Sequence, residues 1–319
     1  MKELGGYFEL EKFKGQEYYT DLLRFNYGRS AMRYLIRAKQ IKRILIPYYI
    51  CDSLINAIEK ENVEILYYHI GPDFLPSCKF VLDKDTALLV INYFGFLTDI
   101  QIQNIASMYP SIILDNTHAF FKKPQCGVDT LYSCRKFFGV SDGGYLATNS
   151  KLDCEFPSDR SEQRLNFLIG RLEDTASAHY KEYRDAETMA NEEEIKQMSK
   201  LTQRILCGID YELIKRTRCQ NYRVLHTLLG NENMLKNMSL PDGPYGYPFL
   251  VENAYELRIQ LQELKIYVPI LWANVRDLVE KSSLERYYTD NILLLPVDQR
   301  YNMNDMEYLA NIIKRGMNR

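Results

Sequence analysis

A chain of 319 residues can bury a sizeable core, and 46% apolar with 26% charged residues is ordinary globular composition. A formal net charge of −2 gives no pull toward nucleic acid or an anionic membrane, so neither is expected as a partner. The seven cysteines never stand as Cys-x-x-Cys and no run of about 18 apolar residues occurs, which argues against a zinc site, a disulfide framework and a membrane span, and for a reducing, cytoplasmic setting.

In chain order, Asn26-Tyr-Gly-Arg-Ser30 opens a predicted helix, Ala31 to Gln40. A strand at Arg43–Pro47, a helix from Cys51 to Glu61 and a strand from Glu64 to Ile70 follow. The next buried run is Thr86 to Asn92, then a helix from Thr98 to Met108 and a strand from Ser111 to Asp115. Two short runs, Thr130–Ser133 and Gly144–Thr148, close the series. Short apolar strands separated by helices predict an α/β fold: a large domain with a mostly parallel, mixed sheet flanked by helices. Ligands of such sheets gather at the carboxyl ends of the strands, where Asn92, Asp115 and Ser133 stand.

Residues 157 to 230 are polar with helical spacing, and Asp242-Gly-Pro-Tyr-Gly-Tyr-Pro248 reads as a turn-rich hinge. Beyond it come strands at Phe249–Val251, near Tyr267–Leu271 and at Ile292–Leu295, with helices at Ala254–Leu264 and Asn304–Arg315. The expected division is a large domain, 1–229, that includes a long interdomain helix, and a small α/β C-terminal domain, 230–319.

The stretch from Asp115 to Gly144 carries the chemistry. It holds Asp115-Asn-Thr-His118, then Ser133-Cys-Arg-Lys136, then Gly143-Gly144. These are the parts that hold pyridoxal phosphate: a carboxylate for the pyridinium nitrogen, a hydroxyl for the phosphate and an amine for the Schiff base. Lys136 must lose its proton near neutral pH, which Arg135 and the burial offered by Phe137-Phe138 would promote. His118 would lie beside the ring. Gly28, Arg29 and Ser30 at a helix start would complete a phosphate cup with Ser133. Tyr48 or Tyr49 would cover the outer ring face, and Asn92 is a candidate by position. Trp272, Arg276 and Arg300 are candidates for the substrate side. Each has a plainer reading as a cap, a turn or a packed side chain. The order and spacing of the set favour the cofactor role.

These residues, in this order, resemble the DegT/StrS family of pyridoxal-phosphate-dependent sugar aminotransferases, within the aspartate-aminotransferase-like (fold type I) class. Gly28-Arg-Ser-Ala31 looks like the family's phosphate loop, Ile46-Pro47-Tyr-Tyr-Ile-Cys51 its Pro-rich strand end, and Asp115-Asn-Thr-His118 its Asp-x-x-Gln/His. Leu294-Leu-Pro296 is similar to its C-terminal element. Two departures stand out: the Ser133 to Lys136 interval is shorter than the family's, and Cys51 replaces an aromatic. The resemblance implies a homodimer with its active site at the interface. It also implies transfer of an amino group from an amino acid, glutamate by family likeness, to a small-molecule carbonyl acceptor such as a keto-sugar or nucleotide-linked keto-sugar. The alternatives are a sugar dehydratase or eliminase using the same cofactor, and a non-catalytic regulatory protein of this fold.

Overall fold

The computed structural model describes residues 4–236, 239–252 and 254–317. A short strand, β1 (Leu23–Phe25), leads through Asn26-Tyr27 into α1 (Gly28–Lys39). Then follow β2 (Arg43–Pro47), α2 (Asp52–Glu59), β3 (Glu64–Tyr68), β4 (Thr86–Ile91), α3 (Asp99–Met108), β5 (Ile112–Asp115), β6 (Asp129–Ser133) and β7 (Gly144–Ala147). These strands form one sheet in the order β1-β7-β6-β5-β4-β2-β3. The pairs from β6 across to β3 are parallel, and β7 pairs antiparallel with both β6 and β1. The mixed α/β sheet expected from the sequence is present. Every residue of β4 and β5 is buried, which is why those segments read as unbroken apolar runs rather than alternations. Helix α3 starts on a capping box: Thr98 Oγ1 accepts from the Gln101 N–H at 3.2 Å, and Gln101 Oε1 accepts from the Thr98 N–H at 3.0 Å.

After β7 the chain is helical: α4 (Asn166–Glu173), α5 (Tyr180–Glu192), α6 (Lys200–Leu206) and α7 (Tyr211–Leu229). The remainder is β8 (Tyr247–Leu250), α8 (Ala254–Glu263), α9 (Val275–Leu278), α10 (Leu284–Asn291), β9 (Ile292–Leu295) and α11 (Met303–Met317). Strands β8 and β9 pair antiparallel, and a second core forms around Leu225, Phe249, Leu261, Leu293 and Ile313. Among the described residues no helix is long and apolar enough to cross a membrane.

The sequence reading lacks α9 and α10, and two further elements differ from it. β1 spans too few residues to show an alternation. The expected strand near Tyr267–Leu271 is irregular chain, because its apolar residues serve two different cores: Val268 joins the second and Leu271 the first. Lys265 (φ 59°) and Trp272 (φ 59°) bracket the segment in left-handed conformations that interrupt an extended strand.

Candidate active site

Three chain segments converge on one place. β5 ends at Asp115, whose Oδ1 accepts from the Thr117 N–H at 2.8 Å. β6 ends at Ser133 and tightens at once into a single 3-10 turn, Cys134–Lys136, which carries Lys136 round beside the strand end. From the opposite side β1 passes into α1 at Tyr27-Gly28. Gly144 makes this approach possible: a Cβ there would lie 2.6 Å from both the Gly28 nitrogen and the Tyr27 carbonyl carbon. Gly143 is at φ 120°, with Cys134 Cβ 3.0 Å from where its own Cβ would be. The glycine pair is therefore a steric requirement of the site.

Between these segments lies a cavity of about 250 Å³. Asp115, His118 and Lys136 line it, as do Gly28, Arg29 and Ser133. Lys136 is surrounded by protein yet keeps an accessible side chain, and that free surface faces the cavity. Its ammonium is held above the ordinary lysine value, chiefly by Tyr245 and in part by Cys51, against burial and Arg135, which push it down. Nζ lies 5.9 Å from the centre of the Tyr245 ring. This corrects the expectation that burial and Arg135 would dominate, and Tyr245, remote in sequence, is the reason.

Burial raises the Asp115 carboxyl, while Thr117 and Lys136 hold it back. His118 is driven down to about 3 by burial and then by Lys136, so its imidazole is neutral at physiological pH. The ring stacks on Tyr245 at 4.4 Å and on Phe94 at 5.8 Å, and lies 5° from parallel to Trp272 at 5.6 Å. His118 Nδ1 is buried without a hydrogen-bond partner among the described residues, as are the Tyr27 hydroxyl and Arg135 Nε. Three unpartnered polar atoms on residues that line one cavity suit a polar ligand there.

Other candidates lie outside the cavity. Ser30 is buried and lines a smaller neighbouring crevice with Arg33 and Lys60, because the first turn of α1 directs it away. Tyr48 stacks on Tyr67 at 4.9 Å, and Tyr49 is wholly buried against Tyr93 at 5.4 Å and Trp272 at 4.6 Å. Asn92 is also wholly buried. It donates to Asn116 Oδ1 at 2.9 Å and accepts from the Leu97 N–H at 2.9 Å, joining the ends of β4 and β5. Arg276 pairs with Asp290 and Arg300 with Asp298.

Trp272 does line the cavity, as does Cys51. Sequence reasoning missed Tyr27, Thr117 and the α4–α5 residues Phe167, Tyr183 and Glu187. Tyr27 and Thr117 adjoin motif residues and could have been found from that alone. The α4–α5 residues carry no local signal, since their segment reads as solvated helix.

No family model matches the sequence, and no curated protein does. Solved structures do match. A DegT/DnrJ/EryC1/StrS aminotransferase from Brucella abortus aligns with a TM-score of 0.61 at 13% identity, over 92% of this chain and 85% of that one. The sugar aminotransferase CalS13 from Micromonospora echinospora gives 0.61 at 11% identity, over 92% and 87%. NtdA from Bacillus subtilis, solved with bound cofactor PMP, gives 0.64 at 12% identity, over 95% and 74%. The chain has the fold of these aminotransferases. Their agreement over nearly its whole length, at such low identity, shows an architecture kept by packing rather than by particular side chains.

Proposed function

We propose that the chain is a pyridoxal-phosphate-dependent aminotransferase that moves an amino group from an amino acid, with glutamate the expected donor, to the carbonyl of a small acceptor of the keto-sugar type. One observation carries the reading: the Lys136 amine opens into the cavity that Asp115 and His118 also line. The likeness in fold to sugar aminotransferases, one of them holding PMP, supports it.

When bound, the cofactor supplies an aldehyde for an incoming amine and an electron-poor ring that draws electrons from the carbon losing its proton. Asp115 would hold the proton on the ring nitrogen. Its buried carboxyl is unfavourable as a lone anion and gains most from a cation in contact. His118 is neutral and clamped by stacked rings, so it offers an unpartnered Nδ1 and a flat wall without adding positive charge. Lys136 would hold the aldehyde at rest. Its Nζ, when free, would be the base that takes the donor's α-proton and the acid that delivers it to the aldehyde-derived carbon. Ser133, Gly28 and Arg29 would receive the phosphate.

The working unit in this reading is a cytoplasmic homodimer. Exposed Leu172 and Tyr180 on α4 and α5, next to the cavity, favour a second copy covering that face.

The test is direct. Purified protein incubated with pyridoxal phosphate should turn yellow and become labelled at Lys136 by borohydride, and Lys136→Ala should abolish labelling. Labelled nitrogen from glutamate should reach a member of a keto-sugar panel. Protein that stays colourless and unlabelled ends the proposal. Loss of water from a sugar without nitrogen transfer would point to an eliminase.

A further inference from the structure

Between β7 and α6 the chain makes an excursion whose two ends run side by side. The Asp159 N–H donates to the Gln197 carbonyl at 2.9 Å, and the Gln197 N–H to the Pro157 carbonyl at 2.9 Å. The Ser161 and Ser199 hydroxyls meet at 2.7 Å. Arg164, only 4% exposed, pairs with Asp159 at 2.5 Å and with Glu193 at 2.7 Å. Ile195 and Met198 are buried. The base of the excursion is therefore locked to the body.

The excursion itself, α4 and α5, is not. α4 buries no residue, and α5 buries only Ala186 and Ala190. The two helices hold each other instead. The Phe167 and Tyr183 rings meet edge to face at 5.4 Å, and a Cβ on Gly170 would lie 2.3 Å from His179 Nδ1. A hairpin with a fixed base, packing of its own and so little buried in the body can swing as one piece.

Its inner side brings Phe167, Tyr183 and Glu187 to the cavity. Two ties hold that side down away from the base. Glu187 pairs with Arg135, and at the tip the exposed hydroxyls of Ser177 and Tyr267 share a hydrogen bond at 2.7 Å. Tyr267 belongs to the irregular segment that carries Trp272 into the cavity wall. The other two ties, Arg29 to the Ala190 carbonyl and Lys60 to the Asn191 carbonyl, lie within one turn of Glu193 and need not break when the tip moves.

We propose that residues 165–192 form a hinged lid on the cavity. It pivots at the Arg164–Glu193 lock and is held shut by Glu187–Arg135 and Ser177–Tyr267. Swinging out breaks one partly exposed ion pair and one exposed hydrogen bond, both weak in water, and withdraws the Phe167 and Tyr183 rings from the cavity wall. Swinging in sets both rings against the molecule that has entered and excludes water from it. A second copy resting on Leu172 and Tyr180 would press on the lid from outside and favour its shut position. The lid controls access, so it does not depend on what the cavity binds.

The chain carries its own reporter. Cys51 lines the cavity, whereas Cys78, Cys126 and Cys154 are exposed, so alkylation of Cys51 relative to those three measures entry. The full chain is treated with N-ethylmaleimide and followed by peptide mass spectrometry. Tyr267→Phe removes the tip bond and Glu187→Gln the inner tie. Each should speed reaction of Cys51 by about 2- to 10-fold, and the pair by more. Tyr267 is half-exposed, so Tyr267→Phe leaves the packing alone and keeps the test sound should Glu187→Gln disturb Arg135. The gain should be larger for fluorescein maleimide than for iodoacetamide, because a bulkier reagent needs a wider opening. Amide exchange should quicken in residues 166–189 and stay unchanged in 157–164 and 193–199. Unchanged Cys51 rates in both variants, equal gains for the two reagents, or exchange that quickens at the base as much as in the hairpin overturns the lid. With pyridoxal phosphate and borohydride, labelling of Lys136 should quicken in the same variants. Faster Cys51 alkylation with no labelling of Lys136 in any chain keeps the lid and ends the aminotransferase reading. Labelling with unchanged Cys51 rates does the reverse.

Discussion

The Lys136 ammonium stands 5.9 Å from the centre of the Tyr245 ring, and the same ring stacks on His118 at 4.4 Å. One side chain from the turn before β8 therefore steadies both the amine and the imidazole of the site. Tyr245 is also the main cause of the raised Lys136 value. In Tyr245→Phe, burial and Arg135 prevail, the amine loses its proton at lower pH, and the pH profile for capture of pyridoxal moves downward. At a fixed pH on the rising limb, the rate grows about tenfold for every pH unit that the profile moves. An unmoved profile would remove Tyr245 from this role.

Arg218 of α7 is 2% exposed and binds the site together from behind. It donates to the Phe137 carbonyl at 3.1 Å, the Pro244 carbonyl at 3.0 Å and Gln299 Oε1 at 2.9 Å. These bonds join the Lys136 turn to the Tyr245 turn and to the chain after β9. Arg218→Met strands the Pro244 carbonyl and Gln299 Oε1, while the Phe137 carbonyl keeps Gln299 Nε2 at 2.8 Å, and should cost about 2–4 kcal/mol in urea unfolding. Borohydride labelling of Lys136 should slow in parallel. Wild-type stability in this variant would mean the clamp adds nothing.

Gly144→Ala tests the close approach of α1 to β7. The added methyl meets backbone, not a flexible side chain, so the Tyr27-Gly28 segment must move. A loss of about 1–3 kcal/mol is expected, with binding of pyridoxal phosphate weakened more than that of pyridoxal, because the displaced segment leads into Gly28 and Arg29, which would receive the phosphate. Equal losses for both ligands would place the damage elsewhere.

His118 predicts a pH dependence of stability. Its folded-state value of about 3 is below that of an unfolded histidine, so between those values the unfolded chain binds more protons, and stability falls as pH drops through that window. Asp115 acts oppositely: its raised value lets the folded chain hold a proton that the unfolded chain has lost, so its contribution declines as pH rises from the ordinary aspartate value through the folded one. The His118 slope is at most about 1.4 kcal/mol per pH unit. His118→Phe should flatten the dependence over roughly pH 4 to 6, as followed by denaturant titrations. An unchanged slope would show that other groups set it.

Asp115→Asn tests the ring partner. The amide is near in size but cannot hold the nitrogen's proton as a carboxylate does. Amine transfer should fall by about 10²–10⁴-fold while labelling of Lys136 persists. Full transfer in this variant would exclude the assigned role.

Much of this was legible in the chain because it is local. A strand end is a place in the sequence as well as in space, so Asp115 and Ser133 declared their positions, and the turn after Ser133 carried Lys136 with it. His118 followed from the short loop after β5. Position at a strand end says less about which way a side chain faces. Asn92 and Tyr49 occupy such ends and point into packing, while Cys51, just beyond, lines the cavity.

By itself, the sequence determined the order of most strands and helices and the placing of one amine, one carboxyl and one imidazole near the carboxyl ends of two neighbouring strands, since apolar patterning and tight turns act over neighbouring residues. Only the tertiary structure decided what surrounds them. Glu187 and Tyr245 come to the site from segments far downstream of Lys136. Their effects on charge and stacking depend on distance in space, fall off over a few ångströms and leave no trace in periodicity.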